Sequence, residues 1–367
     1  MSTRPSAAHR FPVTRTTTPV PAQERAQRMD NPVFGTVFTD HMAYAVWHAD
    51  SGWSGHEVRP LTPLPMHPGA AVLHYAQQVF EGLKAFKQAD GSVAVFRPDR
   101  NAARMAASSV RMALPVLPEE DFLAAIDTLV AVDKAWVPDA PGASLYLRPA
   151  LFGTEPSLLV VPPQEVTFTL TACSVGAYLR SASEGVSIWI TRDYHRANEG
   201  GTGEAKTSGN YAASMLATQQ AHDNGCGQVL FLDAKESRYV EELGAMNLMV
   251  VMQDGSVRTP PLGGTILPGV IRDSIIQLLR DEGREVTEER IELAELLDDI
   301  RAGLVAEVFA CGTAANVTSV GRVKGEGIDE RVGTGTPGPV TLATLQRLTD
   351  IQYGRAEDAH GWMRHIA

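Results

Sequence analysis

Apolar positions along the chain follow two rhythms. From residue 40 to about 171 they gather in short runs of strand length. Met42-Ala43-Tyr44-Ala45-Val46-Trp47, Val93-Ala94-Val95-Phe96 and Val166-Thr167-Phe168-Thr169-Leu170 are such runs, rich in β-branched and aromatic residues. Residues 101–111 and 119–132 carry helical spacing instead, and the second segment opens on Pro118 with Glu119 and Glu120 in its first turn. Residues 75–82 read as a helix or a strand-flanking turn. Val186-Ser187-Ile188-Trp189-Ile190 starts a second stretch in which helix and strand alternate. Helices are predicted at 211–223, 270–282 and 292–303, with strands at 228–233, 247–253 and 307–309. Between the stretches, residues 174–185 are rich in Ser, Ala and Gly and predict a linker. Two mixed α and β domains follow, at 31–173 and 186–367.

A length of 367 residues agrees with two cores rather than one. A net charge of −11 argues against nucleic acid or an anionic membrane as partner. No apolar run approaches the roughly 20 residues that span a bilayer. Cys173, Cys226 and Cys311 are too widely spaced for a disulfide framework or a metal site, which agrees with a reducing cytoplasm. The first 28 residues hold one acid, Glu24, beside several Arg, Ser and Thr, as a transit peptide would. Pro5, Pro12, Pro19 and Pro21 interrupt any amphipathic helix there, so a flexible tail at 1–30 and a cytoplasmic location are predicted.

Lys206, one of six lysines, lies in Gly200-Gly201-Thr202-Gly203-Glu204-Ala205-Lys206-Thr207-Ser208-Gly209-Asn210-Tyr211. Small neighbours let a flat ligand approach the amine, which suits a Schiff-base lysine. A solvated surface loop has the same composition. Glu241-Glu242 places two carboxylates on a strand, where neighbours point to opposite faces, and spacing alone does not choose between them. Pro268-Gly269 precedes an apolar-periodic helix, leaving the N–H groups of Val270 and Ile271 for an anion. Gly312-Thr313-Ala314-Ala315 is a second small-residue turn able to cradle one. Tyr146 and Arg148 project from one strand face, where an arginine beside aromatic groups could fork a carboxylate.

These segments occur in a definite order with Phe80-Glu81-Gly82-Leu83-Lys84-Ala85-Phe86, Gly153-Thr154-Glu155-Pro156, Glu242-Leu243-Gly244-Ala245-Met246-Asn247 and Glu307-Val308-Phe309-Ala310-Cys311-Gly312-Thr313. The set resembles the branched-chain amino-acid aminotransferases, pyridoxal 5'-phosphate enzymes of fold type IV, over about residues 30 to 365. The resemblance implies an α+β fold with a smaller N-terminal sandwich-like domain and a larger C-terminal pseudo-barrel. It implies that Lys206 holds the cofactor as an internal aldimine and that Glu242 partners the ring nitrogen. Tyr211 would face the phenolate oxygen, and Arg104, Val270, Ile271 and Thr313 would serve the phosphate. Thr313 and Ala314 would present N–H groups to the substrate carboxylate. Phe34, Tyr75, Phe80 and Tyr146 would contact the branched side chain, with Arg148 for the second carboxylate of glutamate. Amino acids and 2-oxo acids are the implied partners, with a homodimer in which the apolar loop carrying Leu159 and Val160 crosses to the neighbour. A D-amino-acid aminotransferase or an aminodeoxychorismate lyase shares the fold. The chain departs from the family pattern at Thr207-Ser208-Gly209 and at Ala245. Ala315 and Thr318 stand where animal members carry a cysteine pair.

Overall fold

The structure, a computed structural model, describes residues 10–176 and 185–367. Residues 1–9 of the expected tail and 177–184 of the expected linker lie outside the described residues. The chain divides into two compact units. The first is Met1–Tyr178 with Ala205–Ser208 and Asp350–Ala367; the second is Leu179–Glu204 with Gly209–Thr349.

The first unit is built on an eight-stranded sheet. It takes β1 (His41–His48), β2 (Gly52–Pro60), β3 (Gln78–Phe80), β4 (Leu83–Lys87), β5 (Val93–Phe96), β6 (Ser144–Gly153), β7 (Glu165–Val175) and the C-terminal strand Met363–Ile366. All pairings in it are antiparallel. Helices α1 (Ala22–Met29), α2 (Ala71–Tyr75), α3 (Pro98–Arg111) and α4 (Glu119–Val132) complete the unit. Helix α4 starts after Pro118 with Glu119, Glu120 and Asp121 facing the positive end of its dipole. Its Phe122, Ala125, Ile126 and Leu129 fall on one face and join Leu145, Leu147, Leu151, Phe168 and Leu170 of the sheet in one core.

Three expectations change here. The flexible tail does not extend over residues 10–30, because the ring of Phe11 is fully buried in the core. The chain beside it runs along β2, with Thr14 N–H donating to Val58 O at 2.8 Å and Val58 N–H to Pro12 O at 2.9 Å. Residues 350–367 belong to the first unit rather than the second, since Met363–Ile366 pairs with β5. The N-terminal unit therefore holds more residues than the C-terminal one, the reverse of the expected size order. Residues 75–82 resolve into the end of α2 and the strand β3.

The second unit contains a closed barrel. Strands β8 (Val186–Ile190), β9 (Gln228–Leu232), β10 (Tyr239–Leu243), β11 (Met246–Met252) and the later Val305–Gly312 and Asn316–Gly325 form a ring. Pairing of β10 with β11 closes it and removes the edges. Because β8 and β9 are parallel, the chain between them must cross over, and the crossover carries Lys206 and helix α5 (Ser208–Asp223). Helix α6 (Val270–Asp281) packs on strand Val305–Gly312, and Leu293, Leu296, Leu297 and Ile300 of helix α7 (Leu293–Arg301) bury into the barrel core.

Candidate active site

In the first unit, the backbone of Lys206 is held like one more rung beside β3. Its N–H donates to Ser108 Oγ at 3.0 Å, and its carbonyl accepts from Phe80 N–H at 3.0 Å. Thr207 bridges Val79 and donates its hydroxyl to Gln78 O at 2.7 Å. The amine lies 5.0 Å from the centroid of Phe80. A lysine so anchored keeps its side chain near one place, unlike a lysine on a solvated loop.

Glu81 follows Phe80 and is fully buried. Arg104 of α3 forks onto it with Nε at 2.7 Å and Nη2 at 2.8 Å, and Asn101 Nδ2 adds a bond of 2.7 Å. Burial pushes the Glu81 carboxyl up, but the charge and hydrogen bonds of Arg104, with the charge of Lys206 and the Asn101 amide, outweigh it and hold it below the usual carboxylate range. Gly82 comes next because a Cβ there would fall 2.0 Å from the Tyr146 hydroxyl.

That hydroxyl accepts from Arg148 Nη2 at 3.0 Å. The Arg148 guanidinium also lies over the Phe80 ring at 4.8 Å, and the Phe34 ring meets Tyr146 edge-on at 4.9 Å. Four of the residues expected to contact substrate, Phe34, Phe80, Tyr146 and Arg148, are thus brought together. Arg148 has no carboxylate partner among the described residues, and its buried Nε has no hydrogen-bond partner. Tyr75 sits apart from them, donating its hydroxyl to Leu158 O at 2.6 Å and so anchoring the loop that carries Val160. Leu158, Leu159, Val160 and Val161 are exposed on that loop.

In the second unit, Glu242 is 1% exposed. Its Oε2 meets Arg196 Nε at 2.9 Å, and its Oε1 accepts Asn247 Nδ2 at 3.0 Å and Leu267 N–H at 2.6 Å. Asn247 is the direct cross-strand partner of Glu242, which explains the fixed spacing between them. The two adjacent carboxylates have separate partners, and β10 shifts register against β9 between Val240 and Leu243. Glu241 accepts the Thr265 hydroxyl at 2.6 Å and borders a cavity of about 440 Å³ with Asn198, Tyr239, Pro260 and Arg290.

Val270 and Ile271 open α6 after Gly269, and no side chain caps that end. Gly269 is required by close packing, since a Cβ would stand 2.1 Å from Asn247 Oδ1. Thr313 and Ala314 are half-buried in the turn that joins Gly312 to its strand partner Asn316. Tyr211 is half-buried in the first turn of α5, beside Asn210, whose amide donates to Thr202 O and whose oxygen accepts the Thr202 hydroxyl, both at 2.7 Å. Those bonds tie the glycine-rich loop to the helix start.

Each unit by itself holds groups that suit pyridoxal phosphate: the first an anchored amine, the second a buried carboxylate for a ring nitrogen and an uncapped helix start behind a glycine for a phosphate. Among the described residues no group of His, Cys, Asp or Glu could hold a metal ion. Residue patterns missed Glu81, Asn101 and Ser108 around the lysine, and Arg196, Thr265 and the bonding role of Asn247 around Glu242. Glu81 and Asn247 stood inside recognisable motifs, whereas nothing in the spacing marked Arg196.

Known proteins resemble this chain in sequence and in fold. The family Amino-transferase class IV matches residues 78–323. The branched-chain-amino-acid aminotransferase of Mycolicibacterium smegmatis is 47% identical over 360 residues, covering 97% of this chain and 98% of that protein. A solved branched-chain amino acid aminotransferase from Escherichia coli superposes with a TM-score of 0.71 at 28% identity, over 88% of this chain and 99% of that one. The T.th. branched-chain amino acid aminotransferase, solved with pyridoxamine 5'-phosphate, gives 0.72 at 28% identity over 89% and 99%. This chain belongs to the class IV aminotransferases and, within them, to the branched-chain-amino-acid aminotransferase family.

Proposed function

We propose that the protein exchanges the amino group between leucine, isoleucine or valine and 2-oxoglutarate, with pyridoxal 5'-phosphate as cofactor. The observation that carries this reading is the anchored amine of Lys206 beside the aromatic wall of Phe80, in a chain so similar to branched-chain-amino-acid aminotransferases. When bound, pyridoxal phosphate supplies an electron sink for the bonds of the amino-acid α-carbon.

The residues divide the remaining work. Lys206 Nζ would hold the cofactor through its amine and, once displaced by the amino acid, would serve as the base for the substrate α-proton. Glu242 keeps a proton on the ring nitrogen, with Arg196, Asn247 and Leu267 N–H fixing its carboxylate. Tyr211 would donate to the phenolate oxygen. The N–H groups of Val270 and Ile271, with Thr313, would take the phosphate, and those of Thr313 and Ala314 the substrate carboxylate; Arg104, whose Nε and Nη2 are committed to Glu81, would add its charge on the phosphate side. Phe34, Phe80 and Tyr146 exclude water around the branched side chain, with Tyr75 placing the Val160 loop. Arg148 accepts the distal carboxylate of glutamate, since a buried carboxylate left unpaired there would be costly. The same-fold alternatives, a D-amino-acid aminotransferase or an aminodeoxychorismate lyase, gain nothing specific from these groups.

The exposed apolar run Leu158-Leu159-Val160-Val161 supports a homodimer in which this loop closes the neighbour's pocket. Three free, buried cysteines support a cytoplasmic setting. The test is spectroscopic. Purified holoenzyme should lose its visible cofactor band on adding L-leucine and regain it on adding 2-oxoglutarate. A band unmoved by leucine but moved by D-alanine would overturn the reading.

A further inference from the structure

Resting on the cofactor assignment above, we propose that Glu241 is a positioning residue for Glu242, acting through Thr265 and Arg196. The path is short and wholly within the second unit. Thr265 joins its neighbours by its two ends: its hydroxyl donates to Glu241 Oε1 at 2.6 Å, and its carbonyl accepts from Arg196 Nη1 at 2.7 Å. Arg196 then reaches Glu242 Oε2 with Nε at 2.9 Å. Arg196 and Glu241 are both more than nine-tenths buried, so solvent does little to screen this path.

Glu241 is an unusual residue to bury. Among the described residues its Oε2 has no hydrogen-bond partner, and an unsatisfied buried oxygen calls for a reason. Burial pushes its carboxyl above the usual range, against the Thr265 hydroxyl; nearby Asp233 adds to the rise, while Arg196 and His195 oppose it. Asp233 itself is occupied by the N–H groups of Glu236, Arg238 and Tyr239, so it does not compete for Thr265. Glu199, Lys235 and Arg290 border the same cavity as Glu241. Arg196 thus pairs directly with Glu242 and is joined to Glu241 through Thr265 and through its charge, so a change at Glu241 alters how Arg196 is held against Glu242.

The experiment uses the full-length holoenzyme in four forms: wild type, Glu241→Gln, Thr265→Val and the double variant. Two quantities are read, the pH midpoint of the bound cofactor's visible band and kcat against KM for leucine. Each single variant should move the midpoint and lower kcat by about two- to tenfold, the range for members of one hydrogen-bonded network, with KM nearly unchanged. The double variant should add nothing to the larger single effect. An unmoved midpoint in Glu241→Gln, or fully additive effects, would overturn the inference. A wild type with no visible band would instead overturn the cofactor assignment beneath it.

Discussion

Arg104 on α3 and Arg148 on β6 lie in the same unit, and they use their charge in opposite ways. Arg104 forks onto the fully buried Glu81, with Asn101 on the same carboxylate. Its donors serve a pair that holds the helix to the strand beside Lys206. Among the described residues Arg148 meets the Tyr146 hydroxyl and the faces of Phe80 and Tyr146, and its Nε has no hydrogen-bond partner. A guanidinium paired in this way is part of the frame, whereas one among aromatic rings without a carboxylate suits the anion-binding role proposed for Arg148. On that proposal the contrast separates residues that build the site from those that read the substrate.

The largest effect should come from breaking the frame. Glu81→Ala leaves Arg104 buried without its carboxylate and should cost roughly 3–5 kcal/mol of stability, read from the urea midpoint. A loss near that of an ordinary surface change would erase the contrast. Arg148→Met should barely alter stability, yet raise KM for 2-oxoglutarate by about tenfold or more while sparing leucine, as expected for a lost charge-assisted bond. Equal losses for both substrates would make Arg148 part of the frame. Tyr146→Phe removes the hydroxyl that accepts from Arg148 and should weaken 2-oxoglutarate by an amount worth about 1 kcal/mol. The smallest effect is the acid response. The Glu81 carboxyl is held below its unfolded value, so its contribution is complete above that value and is lost as pH falls through the folded one. As pH falls below about 4.5, Glu81→Gln should therefore lose less stability than wild type. Parallel acid slopes would show the pair to be weaker than its geometry implies.

How legible the molecule was in its sequence depended on whether the signal was local. Helix α4 falls at 119–132 as read, because its proline start, first-turn acids and apolar spacing all lie within the segment. The strand Met363–Ile366 was missed because its residues alternate poorly and its partner, β5, lies far back in the chain. Phe11 was hidden by the prolines around it, although one buried ring is enough to dock a segment. Glu242 could be preferred over Glu241 only by resemblance, since what distinguishes them is their partners, Thr265 for one and Arg196, Asn247 and Leu267 for the other, and most of these come from distant segments. Arg196 was invisible for the same reason: its role arises from folding, with nothing beside it in sequence to announce it.

The most direct test of the account is the identity of the lysine that carries the cofactor. Borohydride reduction of the holoenzyme, followed by digestion and peptide mapping, should place the label on Lys206, and Lys206→Ala should take no label and lose transamination. Lys84 is the instructive rival, because burial pushes its amine down to about 8 and would favour the nucleophilic form. Label on Lys84, or turnover that survives in Lys206→Ala, would contradict the account.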